Sequence, residues 1–571
     1  MEYTGIESYQ LRNYKSVKNS GEISLDSTSI ILGPNSSGKT NLVEPLLLLK
    51  QSMDSRGMDL TLNGQDIKLG NYTDIAHNQD KNKDISFEFY FRYKNEPDDG
   101  DRPLECPICY KDYKEEGWYS NHLEEEHEFF WDRRGDKLNK YESHPLSKPS
   151  VEISYTHSDK RGSAQLRKVV FSNPTQVGSL YVSEIAIGFF EEYINIYVED
   201  INGDVVFDSG VTKEKISNPN LSNVYNISDI ANVVLGHYTT GDRRTKLLRY
   251  SSNQPYIRDE AIPSASDYYD EIQSICKKTE ESSEFNPDLS EFEDSKTRLF
   301  DGLLMRISSI IQKSDVLIGS IDSFLENISH VGPLRRSPQR IYSASEANSG
   351  EAYFRRVNIE DRLFPDVEQE ESPILEATNE WLSKTGFDCE LEIEGVEVGD
   401  IFQLKINEGD ISVNLADSGF GLSQTIPIII ECMNMNINSK NPRKVQSKIF
   451  RPKVLDQYMT IVEEPEIHLN PKIESKMGDF FLDIKRDDTG VIVETHSEHI
   501  VNRIQRRIAE GSADRDSVAV YFVEKENGVT DLREINIRED GSFDQWPKGF
   551  FQEDLDDAIE MLKNRGKKEK K

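Results

Sequence analysis

The stretch "STSIILGPNSSGKTNLVEPLLLLKQSM", residues 27–53, constrains the fold more than any other part of the chain. A short apolar run, a glycine- and serine-rich loop and a second apolar run read as strand, loop and helix. Inside it, Gly33, Pro34, Asn35, Ser36, Ser37, Gly38, Lys39 and Thr40 satisfy the pattern G-x-x-x-x-G-K-[ST]. The glycines let the backbone turn so that several N–H groups aim at phosphate oxygens, and the helix N-terminus adds partial positive charge. Lys39 is then placed for the β and γ phosphates of ATP, and Thr40 for Mg²⁺. The helix is apolar on nearly all faces, as expected of one packed within an α/β layer.

Magnesium needs a carboxylate, and one is offered far downstream. "YMTIVEEPEIHLNP" is an apolar strand ending in Glu463 and Glu464. Adjacent residues at a strand end face opposite sides, so one of the two can hold the metal while the other polarises the attacking water; Glu463 is expected at the metal and Glu464 at the water. A third strand, "GVIVETHSEHI", ends at His496, placed to sense the γ-phosphate. The helix after it carries Ile500, Ile504 and Ile508 four apart, with Gly511 as its stop. From 375 to 545 strands and helices alternate, which predicts a mainly parallel sheet.

The chain has 571 residues, with 102 acidic and 68 basic side chains and a formal charge of −34. That balance opposes unspecific phosphate binding but leaves room for a local basic groove or a salt-adapted surface. The arginines of "GPLRRSPQR" and "RIQRRI" could line such a groove, pair with phosphates, or simply lie on the surface. No apolar run approaches membrane-spanning length and no signal peptide is evident, so a cytoplasmic location is expected.

Cys106, Cys109, His122 and His127 stand at C-x2-C-x12-H-x4-H spacing, which predicts a closed tetrahedral Zn²⁺ site. Between Cys106 and Glu128 there are seven acidic and two basic side chains, the wrong sign for reading DNA. A zinc-stapled surface for docking protein is the better expectation. The other cysteines, Cys276, Cys389 and Cys432, are scattered and read as buried thiols.

Together "GPNSSGKT", "EEPEIHLNP" and "ETHSEH" resemble the ATP-binding-cassette type of head found in SMC-like, recombination-mediator and OLD ATPases. Longer matches, among them "VGPLRRSPQRIY" and "WPKGFFQEDLDDA", are similar to a group of stand-alone bacterial and archaeal AAA-type ATPases. The resemblance implies an α/β ABC-type P-loop head with a mixed or parallel sheet, to which this sequence adds a zinc-finger insertion and a partly helical insertion between the lobes. The segments expected are an N-terminal lobe (1–95), the finger (96–150), a strand-rich part (151–235), an acidic helical insertion (236–330), a C-terminal lobe (331–545) and a terminal segment (546–571).

The same resemblance implies a homodimer closed around ATP, with a signature segment capping the partner's nucleotide. Ser418, Gly419 and Gly421 in "ADSGFGLSQTIPIII" are the candidates, since small residues opening a helix let backbone approach phosphate. His77 or Gln79 would occupy the loop that contacts magnesium or water. OLD-type proteins append a nuclease, and "YFVEKENGVTDL" with Glu524 resembles its first acidic strand. Too little chain follows for such a domain, and Asp554 and Asp556 read as a solvated helix face, so any nuclease effector is expected in trans. Two functional classes remain: an ATPase of DNA-associated defence or repair, or an ATP-gated protein scaffold.

Overall fold

The computed structural model describes mainly residues 2–53, 59–94, 148–212, 317–343, 372–440 and 457–545, with short gaps, and two short strands near residue 110. The phosphate-loop strand is β3 (Thr28–Leu32), following β1 (Glu2–Tyr14) and β2 (Val17–Ser24). Helix α1 (Thr40–Met53) follows the loop, as its composition predicts. The next strands are β4 (Asp59–Leu60), β5 (Ile85–Lys94), the two-residue pair β6 (Leu104–Glu105) and β7 (Asp112–Tyr113), and β8 (Ser150–Ser158). Strands β9 (Ser163–Val177), β10 (Leu180–Phe189), β11 (Tyr193–Asp200) and β12 (Val205–Thr212) follow.

After helical residues 317–326 come β13 (Ile328–Val331) and β14 (Tyr342–Ser343), then α2 (Pro373–Lys384). Strands β15 (Glu390–Val396), β16 (Ile401–Glu408) and β17 (Ile411–Asn414) precede the long α3 (Phe420–Lys440). The chain continues through β18 (Tyr458–Glu463), α4 (Pro471–Asp483), β19 (Thr489–Thr495), α5 (Glu498–Ala509), β20 (Val518–Glu526) and β21 (Val529–Ile535).

One mixed sheet of 15 strands carries most of these, in the order β12-β11-β10-β9-β8-β5-β1-β2-β21-β20-β3-β19-β18-β13, with β4 beside β9. Its strands come from the segments expected as 1–95, 151–235 and 331–545, with β13 at the end of the inserted segment. The run that ends at the β13 edge, β20-β3-β19-β18-β13, is parallel. Strands β3, β18 and β19 are buried along their whole length, because helices cover both sheet faces. Alternate side chains feed two cores. Ile31, Ile461 and Ile492 join α1 on one face; Ile30, Leu32, Val462, Val491 and Val493 join α3, α4 and α5 on the other.

The C-terminal part is less uniformly parallel than its alternation suggests. Strands β14 to β17 form a separate antiparallel sheet, and β20 and β21 form an antiparallel hairpin. On that hairpin, Glu524 lies 3.9 Å from Arg533.

Helix α5 starts at Ser497, whose hydroxyl accepts from the Ile500 N–H, and buries Ile500, Ile504 and Ile508. Gly511 follows with φ +68°, a conformation glycine adopts without strain. Of the other thiols, Cys432 is buried and Cys389 partly so; Cys276 lies outside the described residues. Among the described residues no helix is long and apolar enough to cross a membrane.

The zinc tetrad Cys106, Cys109, His122 and His127 lies outside the described residues, as do Asp554 and Asp556. Strands β6 and β7 pair antiparallel on either side of residues 106–111, Leu104 opposite Tyr113 and Glu105 opposite Asp112. Among the described residues no group of three or more His, Cys, Asp or Glu side chains is arranged to hold a metal ion.

Candidate nucleotide-binding and hydrolysis site

The phosphate loop leaves the C-terminal end of β3 and is braced from behind. A Cβ on Gly33 would meet the Val523 carbonyl at 2.2 Å, and one on Gly38 (φ +100°) would meet the Thr530 hydroxyl at 2.3 Å. Both positions are therefore restricted to glycine by contact as well as conformation. Thr530 Oγ1 donates to the Ser37 carbonyl at 2.8 Å and lies 2.7 Å from Ser16 Oγ, tying the loop to β21 and to the β1–β2 turn. Ser36 takes a positive φ of 62°. Pro34 contributes its carbonyl to the lysine contacts below. Asn35 lies exposed between these points.

Lys39 is only 4 % exposed. Its ammonium donates to the carbonyls of Gly33 and Pro34, each at 3.1 Å, and lies 2.8 Å from His496 Nε2. An ammonium has only donors, so Nε2 accepts and the ring proton sits on Nδ1. Burial, followed by the Lys39 charge, pulls His496 down to about 4, which keeps the ring neutral at physiological pH. Burial also lowers Lys39, against the opposing pull of Glu494, Glu464 and Glu466. The switch histidine expected from sequence thus meets the phosphate-loop lysine directly.

Thr40 Oγ1 donates to both oxygens of Glu494, at 3.2 and 3.1 Å. The register explains this choice. Strand β19 lies directly beside β3, and β18 is one strand further out, with Glu463 opposite Glu494. Burial, then repulsion from Glu463, raises Glu494 to about 7. The Glu463 carboxylate is 2.7 Å from His330 Nε2 on edge strand β13.

Glu464 turns out of the strand with φ +45°, its N–H donating to the Glu494 carbonyl at 2.7 Å. Among the described residues its carboxylate has no hydrogen-bond donor. Glu466 accepts from Thr495 Oγ1 at 2.7 Å and from the His496 N–H at 2.6 Å, and burial raises it above the usual carboxylate range.

Glu494, Glu466 and His330 are the members that sequence reasoning missed, while Arg335 is among the arginines of "GPLRRSPQR" but was read without this contact. Glu494 and Glu466 stand inside the quoted motifs, one residue before "THS" and two after Glu464. Nothing local to His330 marks it and nothing local to Arg335 points to these carbonyls, since β13 and the loop after it reach the site only through the tertiary fold. A magnesium ion fits what is present: a hydroxyl and two carboxylates, all hard oxygen donors, in a cluster whose acids outnumber its cations.

The other expected residues make their contacts elsewhere among the described residues. His77 is buried, with Nδ1 2.9 Å from the Lys15 carbonyl, and Gln79 is exposed. Ser418 Oγ donates to the Leu415 carbonyl at 2.8 Å, and a Cβ on exposed Gly419 would meet nothing within 4 Å. Gly421 packs near the His468 carbonyl, on the loop after β18.

The arginines do not form an open groove among the described residues. Arg503 and Arg507 both bond to Asp479, Arg507 also reaches Asp483, Arg506 bonds to Glu510, and Arg340 makes a two-pronged bond to Asp417. Arg335 is directed at the carbonyls of Glu463 and Glu464. Arg336 lies outside the described residues.

Among solved structures, the chain is 11% identical to the Smc head bound to the C-winged helix domain of ScpA, covering 93% of this chain and 98% of that one, with a TM-score of 0.36. For the Pyrococcus furiosus Smc head with an extended coiled coil, bound to the C-terminal domain of ScpA, the values are 11%, 98%, 99% and 0.33. For the Thermotoga maritima SMC head they are 9%, 93%, 100% and 0.31.

No curated protein matches the chain. Residues 514–561 match a family described as protein of unknown function (DUF3696). The AAA ATPase domain model matches residues 5–501, most of the chain, and the protein belongs to that ATPase family.

Proposed function

We propose that the protein hydrolyses ATP and uses the cycle as a dimeric switch. The observation that carries this reading is the convergence of Lys39, Thr40, Glu494, Glu464 and His496 at one edge of the sheet. On ATP binding, Lys39 exchanges the Gly33 and Pro34 carbonyls for phosphate oxygens, and neutral His496 faces the γ-phosphate. Glu464, whose carboxylate meets no donor among the described residues, orients water for in-line attack. Thr40, Glu463 and Glu494 would hold Mg²⁺, which neutralises phosphate charge. Exposed Gly419, with the backbone of its neighbour Ser418, is suited to cap the nucleotide of a second copy, so that hydrolysis removes a shared ligand and the heads part.

The switch is assigned to DNA-associated defence or repair, with an effector acting in trans. A second reading, an ATP-gated protein scaffold, is favoured by one observation: the described arginines considered for a DNA groove are bonded to acids or to backbone. The zinc-finger segment, with its acidic excess, suits a protein partner in either reading.

The test is Glu464→Gln. It should lower hydrolysis at least about a hundredfold while ATP binding persists, and should trap the closed dimer. Normal hydrolysis would overturn the role of Glu464. Measuring ATPase activity with single-stranded, duplex and broken-end DNA separates the two readings, and no stimulation by any of them leaves the scaffold.

A further inference from the structure

Arg335 lies on the loop just after β13, in the "GPLRRSPQR" string but in none of the nucleotide-binding motifs. Its Nη2 donates to the Glu463 carbonyl at 3.0 Å and to the Glu464 carbonyl at 2.8 Å. Glu464 needs such a hold. Its φ of +45° is a conformation that residues with a side chain rarely adopt, and it places the carboxylate beyond the end of the strand. The Glu464 N–H is fixed by the Glu494 carbonyl on one side, and Arg335 fixes the two carbonyls on the other.

The arrangement is a costly way merely to fill space. Arg335 Nε and Nη1 are buried with no hydrogen-bond partner among the described residues, and burial lowers the guanidinium to about 10 despite the pull of Glu466 and Glu464. An apolar side chain would pack there without stranding donors, but it could not grip two carbonyls.

We infer that Arg335 is a positioning residue for hydrolysis: by clamping the carbonyls of Glu463 and Glu464, it holds Glu464 in the strained backbone conformation that aims its carboxylate at the attacking water. The inference rests on Glu464 being the water-orienting group. It also gives the segment that enters the sheet at β13 a direct hold on the backbone that carries the hydrolytic carboxylate.

The experiment compares Arg335→Ala, Arg335→Lys, Glu464→Gln and the Arg335→Ala/Glu464→Gln double variant in the full chain. Steady-state and single-turnover hydrolysis are measured with Mg²⁺ and ATP, alongside equilibrium binding of a fluorescent ATP analogue. Arg335→Ala should lower kcat by about ten- to hundredfold with KM and nucleotide affinity within about twofold, as for a misplaced catalytic group. Arg335→Lys, which keeps a donor, should recover part of kcat. In the Glu464→Gln background, removing Arg335 should cause no further loss.

Unchanged kcat in Arg335→Ala, a loss confined to KM, or a full multiplicative loss on top of Glu464→Gln would each overturn the proposal. Where Arg335→Ala fails to fold, Arg335→Lys carries the test, and wild-type kcat in it overturns the proposal. Normal hydrolysis by Glu464→Gln would instead bring down the reading of Glu464 on which the inference rests.

Discussion

Glu494 offers the sharpest test of the electrostatics at the site. It is 4 % exposed, lies opposite Glu463 on the neighbouring strand, and is raised from 4.5 to about 7. A raised carboxylate pKa means that the folded protein binds more protons than the unfolded chain between these values, so stability falls as pH rises through that window. A rise of that size corresponds to roughly 3 kcal/mol lost by pH 8, with under about 1 kcal/mol lost at pH 5. Glu494→Gln keeps the shape and an oxygen for the Thr40 hydroxyl but removes the charge. The nucleotide-free variant should therefore unfold at a higher temperature or denaturant concentration than wild type at pH 8, and most of the advantage should be gone at pH 5. Adding ATP with Mg²⁺ should stabilise wild type more than the variant, because the cation relieves the same repulsion. A variant less stable than wild type at pH 8, or a difference that does not change with pH, would refute the reasoning.

Asp479 on α4 is gripped by Arg503 and Arg507 of α5, which hold it below the usual carboxylate range against a contrary push from burial. Asp479→Ala should destabilise the protein by about 3 kcal/mol in equilibrium unfolding, since it leaves Arg503 without its acid and Arg507 with Asp483 alone. The Asp479 contribution should be full above its unfolded pKa and disappear as pH falls through the lower folded value. For the segment containing Cys106, Cys109, His122 and His127, chelation of zinc should raise proteolytic sensitivity within residues 96–150 while ATP binding is retained; loss of nucleotide affinity on chelation would contradict the assignment of this segment as a separate docking insertion.

What was legible in the sequence was legible for local reasons. The phosphate loop works through eight consecutive residues, so strand, loop and helix could be read from "STSIILGPNSSGKT" alone. The span of α5 followed from its isoleucine spacing and Gly511, because a helix carries its periodicity and its ends within itself. His496 could be found as the residue at a strand end, although its bond to Lys39, 457 positions away in the chain, could not.

The tertiary structure decided which acid serves which group. Sequence offered Glu463 as a magnesium carboxylate; the strand order, with β19 beside β3, adds Glu494 as the acid bonded to the Thr40 hydroxyl and sets Glu463 against His330. Strand order also recruits β13, whose His330 and the nearby Arg335 are more than 120 residues before the acids they touch. The limit is physical. Local sequence sets the period and ends of each element, whereas the neighbour a side chain meets depends on the lateral order of strands about 4.8 Å apart, and that order is settled only when the whole sheet closes.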